Sequence, residues 1–269
     1  MLIRFSIVLG ITSLLLASAM YSQPVPGQTA STGQVGQVGQ VGQAGQVGQV
    51  LAPGTHNRTL LRGKEPPVHF ALSIPANYSP SKPVPLIVAL HFGVGGSDGA
   101  GAGRNVLSIL VRPALEELGA IIAAPDSLGG NWSTPENERA VKQLLDDVLG
   151  SYSIDKKKIV VTGYSMGGAG AWSIAEKYPE YFSAVIPVSG RPPASVADWR
   201  LPVLAIHSRN DQVVPFGPTE AHIAELQKAG KRAELIALTG ITHYETFRFV
   251  SGLRQAVPWL REIWKQDHN

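Results

Sequence analysis

The stretch KIVVTGYSMGG, Lys158 to Gly168, decides the fold. KIVVT has the β-branched, apolar character of a buried strand. It runs straight into GYSMGG, where Ser165 has a glycine two residues away on each side. The small residues from Gly167 to Tyr178, with Trp172 among them, predict a helix. A serine between strand and helix in a Gly-x-Ser-x-Gly setting sits on a sharp, strained turn. Glycine at 163 and 167 removes the collisions that larger side chains would cause there. The helix start also presents backbone N–H groups to developing negative charge. The bland alternative is a polar residue in a glycine-rich turn.

Working outward, the chain alternates strand and helix. His69 to Ile74 alternates weakly and predicts an edge strand. PLIVALHF, Pro85 to Phe92, is a near-continuous apolar run, as in a strand buried on both faces. A helix is predicted over Arg104 to Gly119, a strand over Ile121 to Pro125 and a helix over Asn137 to Leu149. Beyond the serine, strands are predicted over Ser183 to Val188, Leu201 to Ile206 and Ala233 to Leu238. Helices are predicted over Pro218 to Ala229 and Tyr244 to Gln266, the latter bent before Pro258. This alternation predicts an α/β fold: a mostly parallel sheet with helices on both faces. No long insertion remains for a cap domain.

A serine hydroxyl needs a base to act as a nucleophile. In such a sheet the partners follow in the order Ser, Asp or Glu, His, each just beyond the carboxyl end of a strand. After Ser165 the aspartates are Asp198, Asp211 and Asp267. Asp198 precedes a strand and Asp267 is in the terminal tail. Asp211, in HSRNDQVVP, directly follows one and is the preferred acid, with a plain turn aspartate as the alternative. His243, in TGITHYET, follows the last strand and is the preferred base. His222 falls within a predicted helix and reads as a surface residue, and His268 lies at the chain end. His207 reads as a packing and hydrogen-bonding residue beneath the acid loop.

An oxyanion hole would draw on the N–H of Met166, the residue after the serine. Its second donor is expected from Phe92 or Gly93, in the glycine-rich HFGVGGSDG, His91 to Gly99. That loop lacks the Gly-Lys-Ser/Thr ending of a P-loop and the G-x-G-x-x-G spacing of a βα turn, which argues against nucleotide binding.

The bulk numbers narrow the class further. A net charge of +3 with scattered basic residues gives no nucleic-acid signature; the one run, Lys156–Lys158, reads as a solvated loop. No cysteine is present, which excludes disulfides, a thiolate nucleophile, cysteine metal sites and a lipid-modified cysteine. Residues 1–19 combine Arg4, an apolar run and Ala17-Ser18-Ala19, the pattern of a secretory signal, against the alternative of an uncleaved anchor. Residues 20–54 carry a Gly-Gln-Val repeat, Gly33 to Val50, too poor in apolar surface to offset its ordering entropy. It reads as a disordered tether, leaving 55–269 as the folded domain.

At these positions the chain resembles the α/β-hydrolase superfamily, over roughly Pro67 to Trp264. Within it, SIDKKKIVVTGYSMGGAGAWSIAEKYPEYFSAVIPVSG is similar to secreted carboxylesterases of the polyhydroxybutyrate depolymerase, feruloyl esterase and prolyl-oligopeptidase-like group. LHFG stands where that group has LHG, and HSRNDQVVP where it has His-Gly-x-x-Asp-x-x-Val-Pro. The resemblance implies Ser165, Asp211 and His243 as a triad and Met166 with Phe92 or Gly93 as the oxyanion hole. It further implies Trp132 in the substrate pocket, with packing over the sheet as the alternative. Phe92 departs from the family, which commonly has glycine there. The implied activity is exported carboxylic ester hydrolysis, with no metal or cofactor, on a small or polymer-attached ester. A prolyl-oligopeptidase-type serine peptidase and a non-catalytic binding protein of the same fold remain as alternatives.

Overall fold

A computed structural model describes residues 51–95 and 99–266. The expectations for the signal, for the Gly-Gln-Val tether, and for Asp267 and His268 lie outside the described residues. The strands are β1 (Gly54–Arg62), β2 (Glu65–Ile74), β3 (Val84–Leu90), β4 (Ile121–Pro125), β5 (Ile154–Tyr164), β6 (Ala184–Val188), β7 (Val203–Ser208) and β8 (Ala233–Leu238). They form one sheet in the order β1-β2-β4-β3-β5-β6-β7-β8. β1 and β2 pair antiparallel, β2 joins β4 antiparallel, and β3 to β8 are parallel.

The stretch His69–Ile74 is therefore not an edge strand, because β1 pairs along it, from Gly54 opposite Ile74 to Arg62 opposite Glu65. β1 (GTHNRTLLR) is exposed along most of its length and defined by ladder hydrogen bonds rather than apolar side chains. Its sequence therefore carries little periodic signal.

The helices are α1 (Ala102–Val106), α2 (Arg112–Leu115), α3 (Pro135–Ser151), α4 (Met166–Lys177), α5 (Phe216–Lys228), α6 (Val250–Arg254) and α7 (Ala256–Gln266). A wider π-helical turn, Leu107–Val111, joins α1 to α2. Pro113 follows it; in a regular helix its ring would clash with the Ile109 carbonyl, and the wider turn relieves that conflict. The terminal helix is split at Gln255, just ahead of Pro258.

Strand side chains alternate between two apolar layers. Leu86, Val88 and Leu90 of β3 pack with Val141 and Leu144 of α3 and Ala171 and Ile174 of α4. Ile87 and Ala89 pack on the other face with Val106 of α1, Leu115 of α2 and Leu260 of α7. Covering both faces leaves the carboxyl ends of β3, β5, β7 and β8 as one rim. Loops leaving that rim carry His91, Ser165, Asp211 and His243.

Candidate active site

β5 delivers Ser165 to the rim with φ 56° and ψ −115°, a conformation costly for a residue with a side chain. Its surroundings enforce the strain. The Ser165 N–H donates to the Val188 carbonyl at 2.9 Å, and its carbonyl accepts from Ala169 N–H at 3.0 Å. A Cβ at Gly163 would lie 2.3 Å from the Gly167 carbonyl oxygen, and one at Gly167 would lie 2.0 Å from that of Leu90. Both glycines are therefore steric requirements of the turn.

The expected partners meet here. His243 Nε2 is 2.8 Å from Ser165 Oγ, and His243 Nδ1 is 2.7 Å from Asp211 Oδ2. Because the carboxylate only accepts, Nδ1 carries the proton and Nε2 is left to accept from the serine hydroxyl. Asp211 Oδ1 accepts from the backbone N–H groups of Val213 at 2.9 Å and Val214 at 2.8 Å. Burial pushes the Asp211 carboxyl up, but the hydrogen bonds from His243, Val214 and Val213 outweigh it and hold the group below its ordinary value.

Three further residues hold this arrangement. His207 is fully buried; its Nε2–H donates to the Val214 carbonyl at 3.0 Å, and its Nδ1 accepts from the Thr219 hydroxyl at 2.9 Å. Burial depresses its basicity, so it stays neutral beneath the acid loop, the role read from sequence. Gln212 Oε1 accepts from the His243 N–H at 3.1 Å, tying the acid loop to the base loop. The Tyr164 hydroxyl donates to the His243 carbonyl, and its ring stacks beneath the imidazole with centroids 5.4 Å apart. Gln212 and Tyr164 did not stand out in the sequence. Each is adjacent to Ser165 or Asp211 in the chain, and adjacency is the only signal they carry.

His91 holds the start of the loop after β3, and the Asp126 carboxylate holds its end by accepting from Gly101 N–H at 2.8 Å. His91 is fully buried, its Nδ1–H donates to the Phe92 carbonyl at 2.6 Å, and its Nε2 accepts from Ser127 N–H at 3.0 Å. Burial depresses its basicity, against the opposing effect of the Phe92 hydrogen bond. With the Phe92 carbonyl turned to the His91 ring, the trans peptide directs the Gly93 N–H away from it. A Cβ at Gly93 would lie 4.0 Å from the Met166 side chain, so Gly93 sits beside the first residue of α4. As that first residue, Met166 has an N–H with no acceptor within the helix.

Trp132 does not line an open pocket. It is 1% exposed, its indole N–H donates to the His91 carbonyl at 2.9 Å, and Gly170 of α4 leaves room for its ring. Its side chain packs over the sheet, the alternative reading, and props up the β3 loop. His222 is likewise not a surface residue: it is 5% exposed, edge-on to Trp172 at 5.1 Å. Phe216, Thr219, Ile223 and Leu226 share its buried stripe, so helix periodicity did carry that signal. Among the described residues no cluster of His, Asp and Glu could hold a metal ion.

The sheet order and the strained serine turn are those of the α/β-hydrolase fold. Comparison sharpens this: the model of the dienelactone hydrolase family matches residues 123–247, from β4 to just past His243. The chain is 28% identical over 166 residues to feruloyl esterase C of Emericella nidulans, covering 60% of this chain and 60% of that protein. The chain thus spans about 60% of the length of the curated relatives it first matches. A thermostable esterase superposes with a TM-score of 0.62 at 22% identity, covering 77% of this chain and 62% of that one. An esterase from the Planctomycetes species Thermogutta terrifontis does so with a TM-score of 0.61 at 18% identity, covering 78% and 95%.

Proposed function

We propose that the protein is an exported serine carboxylesterase that works through an acyl-enzyme. The observation that carries the reading is the pair of contacts at His243, 2.8 Å to Ser165 Oγ and 2.7 Å to Asp211. His243 Nε2 takes the Ser165 proton as Oγ bonds to the ester carbonyl carbon. Asp211 keeps the imidazole in the tautomer that can accept, and stabilises its cation. The N–H groups of Met166 and Gly93 hold the oxyanion, with Phe92 as the alternative second donor. His243 then gives its proton to the departing alkoxide oxygen. Water, deprotonated by the same imidazole, attacks the acyl carbon, and Ser165 leaves with the proton back on its oxygen.

Support for ester chemistry comes from the names of the sequence relative and of the two structural neighbours given above, which are esterases. Support for export comes from the charged start, apolar run and small residues of positions 1–19. The test is Ser165→Ala assayed on short-chain esters. The expected loss in kcat is on the order of 10⁴-fold or more. A variant keeping most of the activity would overturn the mechanism.

A further inference from the structure

Among the described residues, the large apolar side chains left exposed are Leu61, Val94, Ile109, Val213, Tyr244 and Phe247. Three of them, Val213, Tyr244 and Phe247, stand on the loops that carry the acid and the base. Tyr244 is 78%, Phe247 67% and Val213 47% exposed. Folding gains little from them there, and exposed apolar groups on the two loops joined at His243 point to a contact surface.

These side chains are mounted on stiff backbone. Val213 N–H is bound by Asp211 Oδ1 at 2.9 Å. The bond from His243 N–H to Gln212 Oε1 joins the residues just before Tyr244 and Val213, so the two flank one link. Glu245 Oε2 accepts from Thr242 N–H at 2.8 Å and from its hydroxyl at 2.9 Å. Arg248 closes the loop onto the Gly240 carbonyl at 2.8 Å and Glu245 Oε1 at 2.9 Å. The Tyr244 ring stands edge-on to the His243 ring with centroids 5.9 Å apart.

We infer that Val213, Tyr244 and Phe247 form the subsite for the alcohol part of the ester and select apolar alcohols. This rests on the proposed reaction. There, His243 Nε2 must reach the leaving oxygen to protonate it, so the alcohol lies on the side of His243. Tyr244 directly follows His243 with its ring edge-on to the imidazole, Val213 follows Gln212 across the link to His243, and Phe247 lies three residues further along the same loop. Sugar hydroxyls would find few polar partners on those three side chains; an alkyl or benzyl group would cover them. Acyl-chain preference belongs to other walls of the site and is independent of these residues.

The test varies one half of the substrate at a time. With the acyl part fixed as acetate, kcat/KM is measured for methyl, ethyl, propyl, butyl and benzyl esters by acid release. With methanol fixed, it is measured for acetate, propionate and butyrate. Each methylene half-covered on this open surface should raise kcat/KM about twofold, giving roughly tenfold from methyl to butyl acetate. In Tyr244→Ser and in Tyr244→Ser/Phe247→Ser that ratio should fall below about threefold, while the acyl ratios stay as in the wild type. A wild type indifferent to the alcohol overturns the inference. So does a variant that keeps the alcohol ratio, or one that loses both ratios together. A wild-type dimer that the substitutions convert to monomer would make these residues an interface and also overturn it. Ser165→Ala run on the same esters separates this result from the mechanism: its inactivity with a flat alcohol series leaves the triad standing and removes the subsite.

Discussion

The loops after β7 and β8 are braced by carboxylate and amide acceptors together with the His207 and Tyr164 rings, whereas the start of the loop after β3 is braced by the ring donors His91 and Trp132. On the first side Asp211, Gln212 and Glu245 each accept from a backbone N–H within the two loops, those of Val213, His243 and Thr242. On the second side His91 and Trp132 both donate to carbonyls, and so set the direction of the N–H groups that follow. The difference follows from what each half must hold. The acid–base half must keep a charge beside an imidazole, which requires an ionised, well-solvated-by-dipoles carboxylate. The proposed oxyanion half must aim backbone donors, and the imidazole and indole N–H groups do that by fixing the carbonyls beside them.

The two halves should fail differently. Asp211→Asn keeps the shape but lets His243 adopt the wrong tautomer; kcat should fall on the order of 10⁴-fold with little change in KM. A fall under tenfold would mean that the acid is elsewhere. Gly167→Ala lies where the halves meet, since its Cβ would press on the Leu90 carbonyl at the foot of the β3 loop. A stability loss above about 3 kcal/mol in urea titration is expected, because backbone rather than a flexible side chain is in the way. His91→Leu frees the Phe92 carbonyl and should lower kcat by about 10²-fold, most of the worth of one oxyanion donor. Ser165 should still react with an irreversible phosphonylating probe in that variant, which Asp211→Asn should do far more slowly. Equal loss of labelling in both would erase the distinction drawn between the halves.

The smallest effect concerns pH. His91, His207 and His222 are buried, and each is depressed below the ordinary histidine value of 6.5. Between their folded values and 6.5 the unfolded chain binds protons that the folded chain does not, so stability falls as pH drops below 6.5. Each histidine contributes at most about 1.4 kcal/mol per pH unit. Thermal melts from pH 7.5 to 5 should show the decline, and His91→Gln should remove one of the three contributions. Asp211 acts in the opposite range: its lowered value gives stability that persists above the ordinary aspartate value and is lost only in stronger acid.

What was legible in the sequence follows the same division. Near-continuous apolar runs and helix stripes located β3 to β8, because strands buried on both faces and amphipathic helices must show them. The proposed triad was readable from residue type and chain order, since after Ser165 Asp211 and His243 combine the right side chain with the right end of a strand. β1 was not, because ladder bonding between exposed polar residues leaves no apolar pattern. Trp132 could be placed at the correct rim but not oriented, since loop sequence does not say whether an indole turns toward solvent or toward the His91 carbonyl. His222 was misread for the opposite reason: its stripe was visible, and its polarity was given more weight than its position.

The most direct test of the central claim, that His243 activates Ser165, is intact-protein mass spectrometry after brief exposure to diisopropyl fluorophosphate. The account predicts a single diisopropylphosphoryl adduct, mapped to the peptide carrying Ser165, and almost none in His243→Ala at the same exposure. A folded protein that takes up no adduct, or one that His243→Ala labels as fast as the wild type, would contradict it.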